Sequence, residues 1–436
     1  MKDKITNGML AFADALSSNK YMSAIKNSFT TLLPVIIAGA FCTLILNVVL
    51  STTTTGISLA KIEGFAWLAN LAPIFSAANY ATLQFFGIGL VILIAIELGH
   101  HYGHDEHIVP IVALSAYVTL ITTSVMVNTP AGEVLKVADV IAKQFTNAQS
   151  LFLGMVASIL ATEIYVRLVD SGKLSISMPE TVPYNVAKSF SILFPAVLTI
   201  IIVSSIGYVF TLLTGYTMYD AIAKWIQGPL TGILTGLPGY LFLFFMTTVL
   251  WIFGIHGTQV LKPVYEATLL LALAQNSDAV TAGMAPTNIL NTSFQSSFST
   301  ITGAGITGGL IIAILLFSKR DDYKTIAKLS IAPGLFNINE TMTFGLPIVL
   351  NPVLAIPFML APIASASFAY FMTKIGFAVV MSYNVPWTTP LGLQAFLATG
   401  GHLGTVLVQL MSIVISFLIY TPFVLISNRL PVKNEG

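Results

Sequence analysis

The stretch Ile331 to Pro352, IAPGLFNINETMTFGLPIVLNP, sets one carboxylate, Glu340, among Asn337, Asn339, Thr341 and Thr343, with apolar arms of about eight residues on either side. Neither arm can cross a bilayer, which takes roughly 20 apolar residues. Backbone at membrane depth must satisfy its own hydrogen bonds unless protein or a wet cavity surrounds it, so the breaks at Pro333-Gly334 and Gly345 predict a buried re-entrant hairpin with Glu340 at its tip. A carboxylate there costs about 2.5–3.5 kcal/mol on insertion scales, and such a group is read as functional by default. The competing reading is a charge in a cytoplasmic loop behind Lys319 to Lys328. The flanks of NINE are too apolar for an ordinary linker.

Other polar breaks fall in the same half of the chain. FGIHGTQVLKPVYE carries His256, Lys262 and Glu266, and TNILN carries Asn288 and Asn291, while Trp251 and Trp387 lie in or beside such breaks. Amides, hydroxyls and a few charges converging with aromatic faces suit a buried sugar, whose hydroxyls need paired donors and acceptors and whose C–H faces lie flat on rings. A polar, uncharged substrate is expected. A single histidine is more often structural, but Gly254 and Gly257 open His256 to close approach. The other candidate for chemistry is HHYGHDEH, where His100 and His104, with His101 and His107 nearby, could share a metal on one helix face. Gly99 and Gly103 argue against a continuous helix there, and a solvated turn between two spans is favoured. Glu163 and Arg167, four residues apart, are expected to neutralise each other as a structural pair.

Positioning these residues falls to apolar helices. Hydrophobic residues make up 56% of the 436, charged residues 8%, and the mean hydropathy is +0.86. That composition specifies a polytopic membrane protein. Net charge of +1 with no basic run points away from nucleic acid. One cysteine, Cys42, in the first apolar segment excludes a disulfide framework and a cysteine metal site. Segments long enough to cross lie at about 29–50, 79–99, 108–128, 149–169 and 190–214, then 238–256, a short run at 264–274, 304–318, 353–381 and 403–426. The fold expected is therefore all-α, with about ten crossings, two re-entrant hairpins near 284–302 and 331–346, and both termini cytoplasmic, as Lys2 to Lys26, Lys319 to Lys328, Arg429 and Lys433 direct. Residues 1–28 carry Ile5, Met9, Phe12 and Leu16 at helical spacing, which suits a helix on the membrane surface. Residues 1–214 are expected to form one domain, 215–235 an amphipathic linker along the outer surface, and 236–436 a substrate-binding domain.

The motifs together resemble the membrane subunit, enzyme IIC, of the lactose/cellobiose/diacetylchitobiose group of the bacterial phosphoenolpyruvate-dependent sugar phosphotransferase system. The likeness runs through GIHG at 254–257, NINE with FGLPIVLNP at 337–352, PWTTP at 386–390 and LATGG at 397–401. The resemblance implies a homodimeric, elevator-like transporter whose N-terminal half makes the dimer interface and whose C-terminal half binds sugar between two re-entrant hairpins. It places the histidine of GIHG and the glutamate of NINE, here His256 and Glu340, at the sugar's C6 hydroxyl. Trp251, Lys262, Asn288, Asn291, Asn337, Asn339 and Trp387 are the implied sugar contacts. Thr341, Leu391 and His402 depart from the group's usual Pro, Pro and Asp, which bears on substrate identity more than on mechanism.

The function expected is a permease in the bacterial cell membrane for a β-linked disaccharide, of cellobiose or N,N'-diacetylchitobiose type. Phosphorylated enzyme IIB, supplied by enzyme IIA, donates to the C6 hydroxyl, with no cofactor and no metal. Because the chain ends at Gly436 soon after its last span and Cys42 lies in the first, the phosphocysteine is expected on a separate chain. Two rivals remain: an ion-coupled secondary sugar transporter, whose broken helices would look alike, and a metalloenzyme built on His100 to His107.

Overall fold

The computed structural model describes residues 18–53, 58–105, 107–128, 133–176, 178–179, 181–346, 348 and 352–429. The surface helix expected before residue 18, Glu106, part of FGLPIVLNP and the last residues with Lys433 lie outside them. The described residues divide into two compact units, one up to Ile36 together with Tyr80–Leu230, the other from Ile37 to Asn79 together with Thr231 onward.

The first unit is a helix bundle. It contains the start of α1 (Lys20–Leu44), then α2 (Ala72–Leu83) from Tyr80 on, α3 (Phe86–His101), α4 (Ile108–Thr119), α5 (Leu151–Asp170), α6 (Tyr184–Ser191), α7 (Leu193–Thr214), α8 (Met218–Ile222) and the start of α9 (Gly228–Leu234), up to Leu230. Helices α3, α4 and α5 pack on one another, and α7 covers α4 and α5. Small residues allow the close approach: a Cβ at Gly87 would collide with Ser150 and the Asn147 carbonyl, and Ser158 Oγ donates to the Val91 carbonyl at 2.7 Å. Helix α7 keeps Ile201, Tyr208, Leu212 and Leu213 on the outside, a face that lipid can cover. Gly215 ends it at φ 72°, a left-handed cap that glycine adopts without a Cβ penalty.

One expected crossing, 108–128, resolves differently. Helix stops at Thr119, and β1 (Ser124–Asn128) pairs antiparallel with β2 (Val134–Ala138), Val125 opposite Val137. The fold is thus not wholly α. The alternating, β-branched SVMVN and VLKVA runs flank a Pro-Ala-Gly turn signal, and a hydropathy window cannot tell such a run from the end of a helix.

The second unit holds α10 (Leu237–Ile252), α11 (Gly257–Thr281), α12 (Thr292–Phe294) continuing as a π turn over Gln295–Ser299, α13 (Thr307–Phe317), α14 (Asp321–Leu335), α15 (Glu340–Gly345), α16 (Pro352–Lys374), α17 (Leu393–Ala398) and α18 (Leu403–Ser427). Helix α18 packs on both α13 and α16, and α16 on α10. Their core joins Leu310, Ile314, Met342, Leu354, Phe358 and Tyr420. Proline near the start of α10 and His402 ahead of α18 mark helix starts, the latter accepting from Thr405 N at 3.2 Å.

By length and composition, the described residues contain seven helices able to cross a membrane, or up to eight if the bent pair Met218–Leu234 and Leu237–Ile252 is one span. The sequence expectation of about ten included 108–128, whose helix has only 12 residues, and the run inside α11, which Lys262, Glu266 and Asp278 make too polar to qualify. One of the seven, Thr292–Phe317, is not a continuous helix: Thr302, Gly303, Gly305 and Ile306 all have left-handed φ.

Candidate functional site

All the predicted site residues lie in the second unit, and two backbone breaks organise them. The first is the left-handed turn over Thr302 to Ile306. The second follows α14. Its helix runs through Pro333 and Gly334, past the point where the sequence placed the break, and ends in a cap where Asn337 N bonds Gly334 O and Ile338 N bonds Pro333 O, each at 3.0 Å. Asn337 sits at the left-handed position of this cap with φ 65°, a place that glycine or asparagine takes. Helix α15 then restarts at Glu340, so the carboxylate stands at its N-terminus, where a negative charge is favoured.

The two breaks are tied together. Asn337 Oδ1 accepts from Thr302 N at 2.6 Å, and Asn339 Nδ2 donates to Ala304 O at 2.6 Å. A Cβ on Gly303 would run into the Asn339 side chain, so glycine is required for this approach as well as for its φ. Carbonyls freed by the first break find other donors: Tyr420 OH reaches Gly305 O at 2.8 Å, Ser416 Oγ reaches Ile306 O at 2.7 Å, and Gln409 Nε2 reaches Ser297 O at 3.2 Å. This is what irregular backbone inside a membrane protein needs. A second knot lies at Asn291, whose Oδ1 caps Phe294 N at 3.0 Å and whose Nδ2 donates to Asn288 O and Met381 O at 2.9 and 3.0 Å. Asn288 itself donates to Gln275 Oε1 at 2.9 Å and to Ala272 O at 3.2 Å. The side-chain amide of each of the four predicted asparagines donates to a protein acceptor.

The charged and aromatic residues are placed differently. Glu340 is exposed, and among the described residues no donor reaches it. His256 is half-buried and caps α11, its Nδ1 3.0 Å from Thr258 Oγ1 and 3.4 Å from Gln259 N. Because a backbone N–H must donate to Nδ1, the ring proton belongs on Nε2. The Glu340 charge acts on this imidazole. The Trp251 ring lies 4.2 Å from the His256 ring and 6.1 Å from Phe344 of α15, so tryptophan, histidine and the glutamate-bearing helix form one group. Trp251 is 2% exposed, a buried wall whose Nε1 has no partner among the described residues. Trp387 is 44% exposed, and its carbonyl accepts from Asn337 Nδ2 at 2.5 Å. Lys262, half-buried one turn before Glu266 on α11, has that carboxylate as its electrostatic partner. The structure therefore joins His256, Glu340, Trp251, Asn337, Asn339 and Trp387 around the two breaks. Asn288 and Asn291 belong to the knot at Met381.

The histidine loop of the first unit is shared out between carboxylates: His104 Nε2 lies 2.8 Å from Asp170 Oδ1, and His100 Nε2 lies 3.5 Å from Asp105 Oδ1. Sequence reasoning passed over Asn276, Gln394 and Gln409, which are buried; Asn276 donates to Asn288 O and Met381 O in the second knot, and Gln409 donates to Ser297 O and Gln394 Oε1. Single amides inside apolar helical runs such as VLVQLM are the signal that could have found them.

Comparison with known proteins identifies the family. The family profile described as Phosphotransferase system, EIIC, matches residues 26–362. The oligo-beta-mannoside-specific EIIC component of Bacillus subtilis (strain 168) is 31% identical over 437 residues, covering 100% of this chain and 96% of that protein. The cellobiose-specific EIIC component of Lactococcus lactis subsp. lactis (strain IL1403) is 28% identical, with 97% of each chain covered. The crystal structure of the transporter ChbC, the IIC component from the N,N'-diacetylchitobiose-specific phosphotransferase system, superposes with a TM-score of 0.88 at 30% identity, covering 96% of both chains. Neither the ion-coupled transporter nor the metalloenzyme finds support among these relatives. Matched by the family profile over its residues 26–362 and aligned with nearly the whole of these relatives, the chain belongs to the phosphotransferase-system EIIC family of multi-pass membrane sugar permeases.

Proposed function

We propose that this chain carries a β-linked disaccharide of cellobiose or N,N'-diacetylchitobiose type and presents its C6 hydroxyl to phosphorylated enzyme IIB. The observation that carries this reading is the exposed Glu340 carboxylate at the second break, on the short helix whose Phe344 ring lies 6.1 Å from the Trp251 ring, itself 4.2 Å from the ring of the half-buried His256. The C6 oxygen attacks phosphorus, the S–P bond of the IIB phosphocysteine breaks with sulfur leaving as thiolate, and the hydroxyl proton passes to Glu340. A loose phosphoryl-transfer transition state asks mainly for such positioning and charge control. His256, its proton held on Nε2 by the helix cap, donates to the C6 oxygen or to Glu340 and keeps both in place. Trp387 offers its exposed ring to a sugar face, Trp251 closes the wall behind His256, and Lys262 supplies a cation at the rim. Asn288, Asn291, Asn337 and Asn339 serve this site through the backbone they hold.

The proposal extends to the assembly: a homodimer with about ten crossings and cytoplasmic termini, in which residues 236–436 carry the sugar by an elevator-like movement, 1–214 form the interface, and 215–235 link them. Support comes from Lys319, Arg320, Lys324 and Lys328 clustered beyond α13 and from the likeness to ChbC. Proteoliposomes holding the purified chain test the function. Given phosphorylated enzyme IIB and cellobiose or diacetylchitobiose, they should form sugar 6-phosphate. Accumulation of unmodified sugar driven by an ion gradient without IIB would instead establish the secondary transporter.

A further inference from the structure

Asn337 combines features that a sugar contact does not need. It is only 6% exposed, holds φ 65°, and has its whole amide engaged: Oδ1 with Thr302 N at 2.6 Å, Nδ2 with Trp387 O at 2.5 Å and with Thr389 O at 3.1 Å. Glycine is the usual residue at such a left-handed helix cap, and asparagine is the alternative that also brings a side chain. Here that side chain spans three segments remote in sequence: the first break, the cap three residues before Glu340, and the loop that carries Trp387. The Trp387 ring is exposed while its own carbonyl is fixed, with Gln394 Nε2 a longer second donor at 3.5 Å.

We infer that Asn337 is a positioning residue that sets the Trp387 ring at a fixed offset from Glu340, so that a disaccharide stacked on Trp387 brings its hydroxyl to the carboxylate. The inference rests on the disaccharide reading above and adds to it a residue that acts without touching sugar. It explains why the cap is asparagine: glycine would meet the backbone requirement but leave the Trp387 and Thr389 carbonyls without this donor. Asn339, two residues nearer Glu340, holds the first break through Ala304 O and, among the described residues, makes no side-chain bond to the Trp387 loop.

A double-mutant cycle on equilibrium disaccharide binding tests this, using the full-length protein, Trp387→Phe, Asn337→Gly and the pair, with thermal stability and IIB-dependent phosphorylation at saturating sugar read on each. Asn337→Gly keeps the left-handed cap and removes only the amide. The expected result is a loss of affinity of about tenfold for each single variant and little further loss for the pair, the non-additivity of residues acting as one unit. Phosphorylation at saturating sugar should fall less than affinity. Should Asn337→Gly not fold, Asn337→Asp runs the same cycle, keeping volume and the acceptor for Thr302 N while turning a carboxylate on the two carbonyls. Equal effects of Trp387→Phe in both backgrounds, or no effect of Trp387→Phe in the parent while sugar is still phosphorylated, overturn the role of Asn337 and leave the disaccharide reading standing. A parent protein that neither binds nor phosphorylates cellobiose or diacetylchitobiose overturns both.

Discussion

Two carboxylates in apolar surroundings, Glu163 in the first unit and Glu340 in the second, show opposite uses of an expensive charge. Glu163 side chain is 12% exposed and saturated with donors: Lys20 Nζ at 2.9 Å, Tyr21 OH at 3.0 Å, Tyr102 OH at 2.5 Å and Arg167 Nη2 at 3.3 Å. Lys20 also donates to Tyr102. Every partner is protein, and the cluster pins the start of α1 to the ends of α3 and α5. Glu340 is exposed, reached by no donor among the described residues, yet its backbone is held by a dense set of bonds around Asn337 and Asn339. A satisfied charge stabilises a fold. A charge left open on a rigid frame is available to a ligand.

The comparison can be sharpened by substitution, beginning with the largest change in stability. Glu163→Leu takes the shared acceptor from Lys20, whose side chain is 27% exposed, and from the tyrosine hydroxyls, and should cost about 1.5–3 kcal/mol, the scale of hydrogen bonds to a charged group; unchanged thermal unfolding in detergent would refute the structural role. Gly257→Ala drives a Cβ into the Thr247 carbonyl, where α11 starts against α10 beside His256. Overpacking of that kind costs about 1–3 kcal/mol, and here it should also lower sugar affinity by displacing His256. Arg167 side chain is 79% exposed, so Arg167→Ala should change stability by less than about 1 kcal/mol despite its ion pair with Glu163. The smallest stability change belongs to Glu340→Gln, within about 0.5 kcal/mol, because no protein donor loses an acceptor. A large drop there would mean that Glu340 has a hidden structural partner.

The chemistry was more legible in the sequence than the backbone that serves it. Glu340 and His256 stood out because a charge and a glycine-flanked histidine interrupt apolar runs. The asparagines also stood out, and the sequence assigned them to sugar by type, since nothing in a one-dimensional pattern tells whether an amide faces a ligand or a carbonyl brought from 50 residues away, as Asn337 faces Trp387 O. The break after α14 was expected at Pro333-Gly334, yet helix continues to Leu335, because a proline tolerated within a helix is a weaker stop than a residue that can turn left-handed. Glu163 and Arg167 were paired correctly, but the dominant partners Lys20 and Tyr102 lie 143 and 61 residues away and left no local trace. The hairpin of β1 and β2 was hidden inside a hydropathy window for a related reason: its valines are as apolar as those of a span.

The central claim, that Glu340 is a carboxylate held open for phosphoryl transfer, is tested most directly by Glu340→Gln in proteoliposomes with phosphorylated enzyme IIB and saturating disaccharide. Sugar 6-phosphate formation should fall by about 10²–10⁴-fold, the usual loss on removing a general acid or base, while equilibrium sugar binding weakens by far less. A variant that phosphorylates saturating sugar at the parent rate would contradict the account and leave Glu340 as a binding group only.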